Sequence, residues 1–157
     1  MKYPLLIGIL ALTSCGLETH IKTDVRKALT LCTGEEFVAR VTMCQALLRE
    51  AAQVNGPVTV IVSDAPRLMQ ELASRGLTLE QFLDSPLSTK YARANIFSLP
   101  KLSTGSFSTL DGVVHSVVCQ QNDNLCRIDG AISGSADSME ADYVGGKLFT
   151  MNGWLPF

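Results

Sequence analysis

The sequence predicts an α+β domain, with N-terminal helices packed on one face of an antiparallel β-sheet formed mainly by the C-terminal half. Three observations carry this reading. Apolar residues recur at helical spacing between Ile21 and Ala51. Val58-Thr59-Val60-Ile61-Val62 is an unbroken β-branched run, the composition of a largely buried strand. From Ser106 onward the chain breaks into short stretches separated by Asp111-Gly112, an Asn/Asp cluster and paired glycines. Helices first and a meander last is the order of an α+β fold.

The first helical stripe is Ile21, Val25, Ala28, Leu29 and Cys32, and Gly34 ends it. A second starts at Glu35-Glu36, an acidic pair suited to a helix N-terminus. It places Phe37, Val41, Cys44, Leu48 and Ala51 on one face and stops near Asn55-Gly56-Pro57. After the 58–62 strand, Ser63-Asp64-Ala65-Pro66 supplies a cap residue and a first-turn proline for a helix carrying Leu68, Met69 and Leu72. Gly76 stops that helix. Thr78 and Gln81 make a capping box that opens a short helix ending at Ser85-Pro86. A further short segment runs through Tyr91 towards Ile96-Phe97.

In the last third, Asp111-Gly112 between Ser106–Leu110 and Val113–Cys119 is a strong hairpin signal. A second hairpin is expected through residues 120–125 into Cys126–Ile132. Gly145-Gly146 and Asn152-Gly153 mark two more turns around Lys147–Met151.

The opening MKYPLLIGILALTSCG is a different kind of segment. Lys2 precedes an apolar run from Leu5 to Leu12, far short of the roughly 20 residues needed to span a bilayer. A basic start, an apolar centre and small residues describe a secretory signal peptide. Leu12-Thr13-Ser14-Cys15 resembles the lipobox of bacterial lipoproteins: a large aliphatic residue, two small ones and a cysteine. The resemblance implies cleavage before Cys15, acylation of its sulfur and its new amine, and, with Gly16 next in line, delivery to the outer membrane. It covers the first sixteen residues and is silent about the fold behind them. Several acyl chains anchor stably where one is marginal. The expected organisation is therefore a signal peptide over 1–14, a lipidated cysteine and tether over 15–20, and a single periplasmic domain over 21–157.

The chain carries 13 Lys and Arg against 15 Asp and Glu, a formal charge of −2, with no basic cluster denser than Lys22, Arg26 and Lys27. A phosphate-binding surface needs concentrated positive charge, so nucleic acid is not an expected partner. Five cysteines become four once Cys15 is committed to lipid, and an even remainder in an exported chain reads as two disulfides. Four cysteines allow three connectivities; the local pairs Cys119–Cys126 and Cys32–Cys44 are favoured. Their spacings match no zinc pattern, and His20 and His115 add no ligand-like spacing, so no metal or cofactor is expected.

His115 falls mid-strand, on the face opposite Val114 and Ser116 and together with Val113 and Val117. The expectation is a satisfied or half-buried histidine, since no G-x-S-x-G elbow accompanies it. Asn122-Asp123-Asn124 and Asp129-Gly130 fail the EF-hand register and read as turn formers. Asp137, Glu140 and Asp142 form an acidic loop, and Trp154 and Phe157 close the sequence; these five residues are the candidates for a partner-facing surface, and no catalytic residue is assigned. For Trp154 and Phe157, a final strand tucked into the sheet is the competing expectation. The functional expectation is a non-enzymatic outer-membrane lipoprotein that meets a protein partner as an accessory, pilot or structural subunit of a secretion, conjugation or pilus type assembly. The alternatives are a small-ligand or cell-wall binding lipoprotein, an envelope hydrolase, and a phage or plasmid exclusion lipoprotein.

Overall fold

A computed structural model describes residues 23–30, 37–63, 65–120, 122, 124–136, 143–144 and 146–157. The expectations attached to Cys15, Cys32, Asp64, Asp123, Asp137, Glu140 and Asp142 lie outside these residues.

The fold is α+β, as the patterning predicts. Strand β1 (Thr23–Asp24) leads into α1 (Val25–Thr30), and α2 (Phe37–Ala51) is the long helix. Strand β2 (Val58–Val62) follows, then α3 (Ala65–Ser74), α4 (Leu79–Asp84) and α5 (Pro86–Ala94). The remainder is β3 (Ile96–Phe97), β4 (Gly105–Ser108), β5 (Val114–Gln120), β6 (Leu125–Ile128), β7 (Ile132–Ala136), β8 (Tyr143–Val144) and β9 (Gly146–Met151). Among the described residues the main sheet has seven strands in the order β3-β2-β9-β7-β6-β5-β4, and β1 pairs with β8 apart from it.

Local chemistry explains the helix boundaries. The Thr78 hydroxyl accepts from the Gln81 N–H (3.1 Å) while the Gln81 side chain accepts from the Thr78 N–H (2.9 Å), so the predicted capping box is complete. Ser85 caps α5 through its hydroxyl, which accepts from the Leu87 N–H, and Pro86 occupies the first position, where no N–H is needed. Gly76 takes a left-handed φ of +71° beyond α3, and the Leu77 N–H reaches back to the Leu72 carbonyl (2.9 Å). The end of α2 is served by a distant residue. Arg26 donates from Nε to the Ala51 carbonyl (2.9 Å) and from Nη2 to the carbonyls of Val54 (2.8 Å) and Gly56 (2.7 Å). A cation over these open carbonyls also complements the helix dipole.

Two features of the sheet depart from a simple meander. Strand β2 runs parallel to β9, Val58 opposite Gly146 through Val62 opposite Thr150, and antiparallel to β3. Gly146 therefore opens a central strand where the Gly145-Gly146 pair predicts a turn. Its φ of +134° and the Val58 carbonyl, 1.6 Å from where a Cβ would sit, leave room for no side chain. The sheet also curls until its outermost strands approach: Phe97 bridges Thr109, and the Leu110 N–H donates to the Ile96 carbonyl (2.9 Å).

Curling gives the sheet two apolar faces. Val58, Val60, Val62, Ile96 and Leu148 pack under the helices with Met43, Leu47, Leu68, Leu72, Phe82 and Tyr91. Ile61, Phe97, Val117, Cys126, Ile128, Phe149 and Met151 point the other way and share a second core with Leu102 and Leu155. Strand β2 is buried along its whole length because its alternate side chains feed both cores. Asn95, fully buried, locks the chain's end to the helical layer. It donates to the Tyr91 carbonyl (2.8 Å) and accepts from the Leu155 N–H (2.8 Å).

Candidate functional site

The β5–β6 hairpin carries His115, Cys119 and Cys126 of the residues that the sequence singles out. Its register sets Val117 opposite Ile128, Val118 opposite Arg127 and Cys119 opposite Cys126. The Cys119–Cys126 disulfide joins that directly facing pair, with Cα atoms 4.1 Å apart, the short separation of a non-hydrogen-bonded antiparallel position. Cys44 is also disulfide-bonded; the expected partner, Cys32, lies outside the described residues.

Alternation along β5 sends His115 and Val117 inward and Val114, Ser116 and Val118 outward. Val113 does not share the inward face as expected; it precedes the strand and is exposed. His115 is buried, edge-on to Phe97 with ring centres 6.1 Å apart. Its Nδ1 lies 2.7 Å from Asp129 Oδ2, and Asp129 Oδ1 accepts from the Ser116 N–H (2.9 Å). The carboxylate marks Nδ1 as the protonated ring nitrogen. The His115 hydrogen bond holds the Asp129 carboxyl below its usual range against the opposing effect of burial, with help from the Ser116 N–H. Asp129 reaches this position because it adopts a left-handed φ of +52° in the turn between β6 and β7, a conformation that Asp tolerates well.

On the other side of the ring, Nε2 is 3.4 Å from Thr109 Oγ1. That Asp–His–hydroxyl order is also the order of a nucleophilic triad, so the fate of the hydroxyl proton matters. Thr109 is buried and its hydroxyl donates to Asp111 Oδ1 at 2.5 Å, while the same carboxylate oxygen accepts from the Val113 N–H (3.1 Å). The proton is directed to Asp111 and away from the imidazole. In this geometry the four side chains bind the β4–β5 turn to the β6–β7 turn. Sequence reasoning identified His115 and Asp111 but paired neither with Asp129 or Thr109, because those partners are set by strand register.

The outward face of the same hairpin exposes apolar side chains between Ser116, Gln120 and Arg127. Val114 is 64% exposed, Val118 53% and Leu125 37%. Val118 and Leu125 line a hollow of about 420 Å³ together with Gln120, Arg127 and Ser133.

Trp154 and Phe157, expected as partner-facing or as a tucked strand, lie in a non-strand tail half-buried against the helical core. Phe157 stands edge-on to Tyr91 (5.3 Å) and carries the Arg75 guanidinium 5.0 Å above its ring. Trp154 borders a hollow with Arg67, Gln70, Glu71 and Ser74. Among the described residues, no helix is long and apolar enough to cross a membrane, and no group of three His, Cys, Asp or Glu residues is placed to hold a metal ion. In comparisons with known proteins, no family model matches this chain and no curated protein matches it.

Proposed function

We propose that the chain is the precursor of a lipoprotein held through Cys15 at the periplasmic face of the bacterial outer membrane. There it works by protein–protein contact, as an accessory, pilot or structural subunit of an envelope assembly of the secretion, conjugation or pilus kind. The anchor rests on Leu12-Thr13-Ser14-Cys15 at the end of a short apolar run. The contact rests on one observation: Val114, Val118 and Leu125 stand in water on the outer face of a disulfide-stapled hairpin.

Magnitudes favour a membrane-confined contact over a freely diffusing one. Burying three partly exposed aliphatic side chains contributes on the order of 3 kcal/mol, which association costs largely consume. Confining both partners to one membrane raises their effective concentration and lets a small patch suffice. Arg127, Gln120 and Ser133 beside the apolar stripe supply the polar rim of a protein interface.

A photocrosslinking residue at position 118, with the exposed position 89 on α5 as control, tests the contact in native envelopes. One discrete protein adduct from position 118, absent from position 89 and lost in Cys15→Ser, is the expected result. Identical adduct patterns at the two positions would sink the contact face. A Cys15→Ser chain that is processed and fractionates like the wild type would remove the anchor.

A further inference from the structure

We propose that the bare outer face of β5 and β6 docks an amphipathic helix of a partner protein, one that sets a carboxylate against Arg127. This rests on the contact face proposed above and names the chemistry of what fills it.

One side of the main sheet is covered in one half and bare in the other. Leu148 of β9 packs under the helices, and Thr150, two residues on, points the same way. Strand register carries that side across the sheet: Thr150 stands opposite Ser135, Ser135 opposite Leu125, and Leu125 opposite Gln120. The helices pack over β2 and β9, and among the described residues nothing from β5, β6 or β7 belongs to their core. The bare half is where Val114, Val118 and Leu125 stand in water. A sheet face with apolar residues is stable when a second layer covers it, and the layer this domain uses on that side is helical.

Charge narrows the occupant. The outward positions of β5 and β6 are Val114, Ser116, Val118, Gln120, Leu125 and Arg127, which include no carboxylate and a single cation. Arg127 lies across from Val118, in the middle of the patch. It is exposed, and among the described residues no carboxylate pairs with it. Asp129, the nearest carboxylate along the chain, is turned to His115 and the Ser116 N–H. Covering an unpaired guanidinium is costly, whereas a carboxylate that meets it offsets that cost and fixes the register of the contact. The hollow of about 420 Å³ beside Arg127, bordered by Val118 and Leu125, takes the apolar anchor.

Shape selects the helix. An extended segment adds to a sheet through its edge, and these side chains stand on a face. From Val114 to Gln120 that face runs about 20 Å, the length of about thirteen helical residues, which suffices for apolar anchors at i, i+3, i+4 and i+7. A second copy of the chain fits less well, because a two-fold contact over this patch sets two Arg127 side chains against each other. An anionic lipid surface is drawn to clusters of about four to eight cations, and this face carries one.

The test introduces Arg127→Glu and Arg127→Lys into the full chain that carries the photocrosslinking residue at position 118 in native envelopes, and the crosslinked peptide is sequenced by mass spectrometry. Arg127→Glu is expected to lower the yield of the discrete adduct about tenfold or more, while Arg127→Lys, which keeps the charge, retains most of it. The crosslinked peptide should carry apolar residues at i, i+3, i+4 and i+7 with an Asp or Glu beside them. Arg127→Glu should melt with the wild type, since the side chain it replaces pairs with nothing in the fold; a lower melting temperature would overturn the unpaired state on which the inference rests. An undiminished adduct in Arg127→Glu, an equal loss in Arg127→Lys, or a crosslinked peptide without a carboxylate or a helical period would overturn the inference and leave the contact face standing. An adduct at twice the mass of the chain would assign the face to a second copy, and one confined to lipid would assign it to the membrane; either overturns the inference. No adduct at position 118 beyond that at position 89 would remove the contact face itself, and the helix with it.

Discussion

At the scale of single residues, the domain is held by polar side chains that reach across the fold. Asn95 satisfies the Tyr91 carbonyl and the Leu155 N–H from a fully buried position. Asn95→Ala leaves both groups without a partner, and a loss of about 2–4 kcal/mol in urea denaturation is expected. Asp129 gives a pH signature. Its carboxyl titrates below its usual range because of the His115 and Ser116 hydrogen bonds. A depressed carboxyl contributes stability that is fully present above the unfolded value near 3.9 and is lost as pH falls through the folded value. Wild type and Asp129→Asn should therefore differ in urea midpoint at neutral pH and converge as pH drops below about 4. Asparagine also tolerates the left-handed turn, so the backbone is not strained by the exchange. A constant difference across that range would assign the effect to packing instead of charge.

Elements were legible in the sequence where their signals are local. The Thr78–Gln81 box, the Ser85-Pro86 start of α5, the β-branched run of β2 and the Asp111-Gly112 turn each specify their own segment, and the structure places elements there. Cys119 and Cys126 were readable as a pair because a hairpin brings its own ends together. What joins one element to another was not legible. Arg26 reads in the sequence as part of a modest basic stretch, yet its work is to close the far end of α2. Gly146 reads as a turn residue, and its role is to let β9 lie against β2. The same long-range dependence hid the partners of His115. Gly146→Ala tests the β2–β9 junction. A left-handed φ and a Cβ driven into the Val58 carbonyl should cost more than about 3 kcal/mol. That loss should be visible as a failure to accumulate folded protein at 37 °C.

At the scale of the whole molecule, the two cores share a wall. Val58, Val60 and Val62 of β2 face the helices while Ile61 faces the curled half of the sheet, and Leu148 and Phe149 of β9 divide in the same way. Neither core can lose this wall and keep its packing, so the domain should unfold in one cooperative step. Leu68→Ala in the helical core and Ile128→Ala in the other should each cost about 2–5 kcal/mol. Each should also shift a single transition. Far-UV circular dichroism and the fluorescence of Trp154, which packs on the helical side, should report coincident midpoints in both variants. Two separated transitions would show the cores to be independent.

The parallel pairing of β2 with β9 also has a consequence in time. Strand β2 sits among the helices in the chain order, but the neighbour that seals it comes after every other strand of the sheet. While the chain is still being made, β2 has no β9 to pair with, and the helical core lacks Leu148 and the other core Phe149. Such long-separation contacts form slowly because loop closure must precede their reward. The sheet is therefore complete only once the two distant halves of the chain meet.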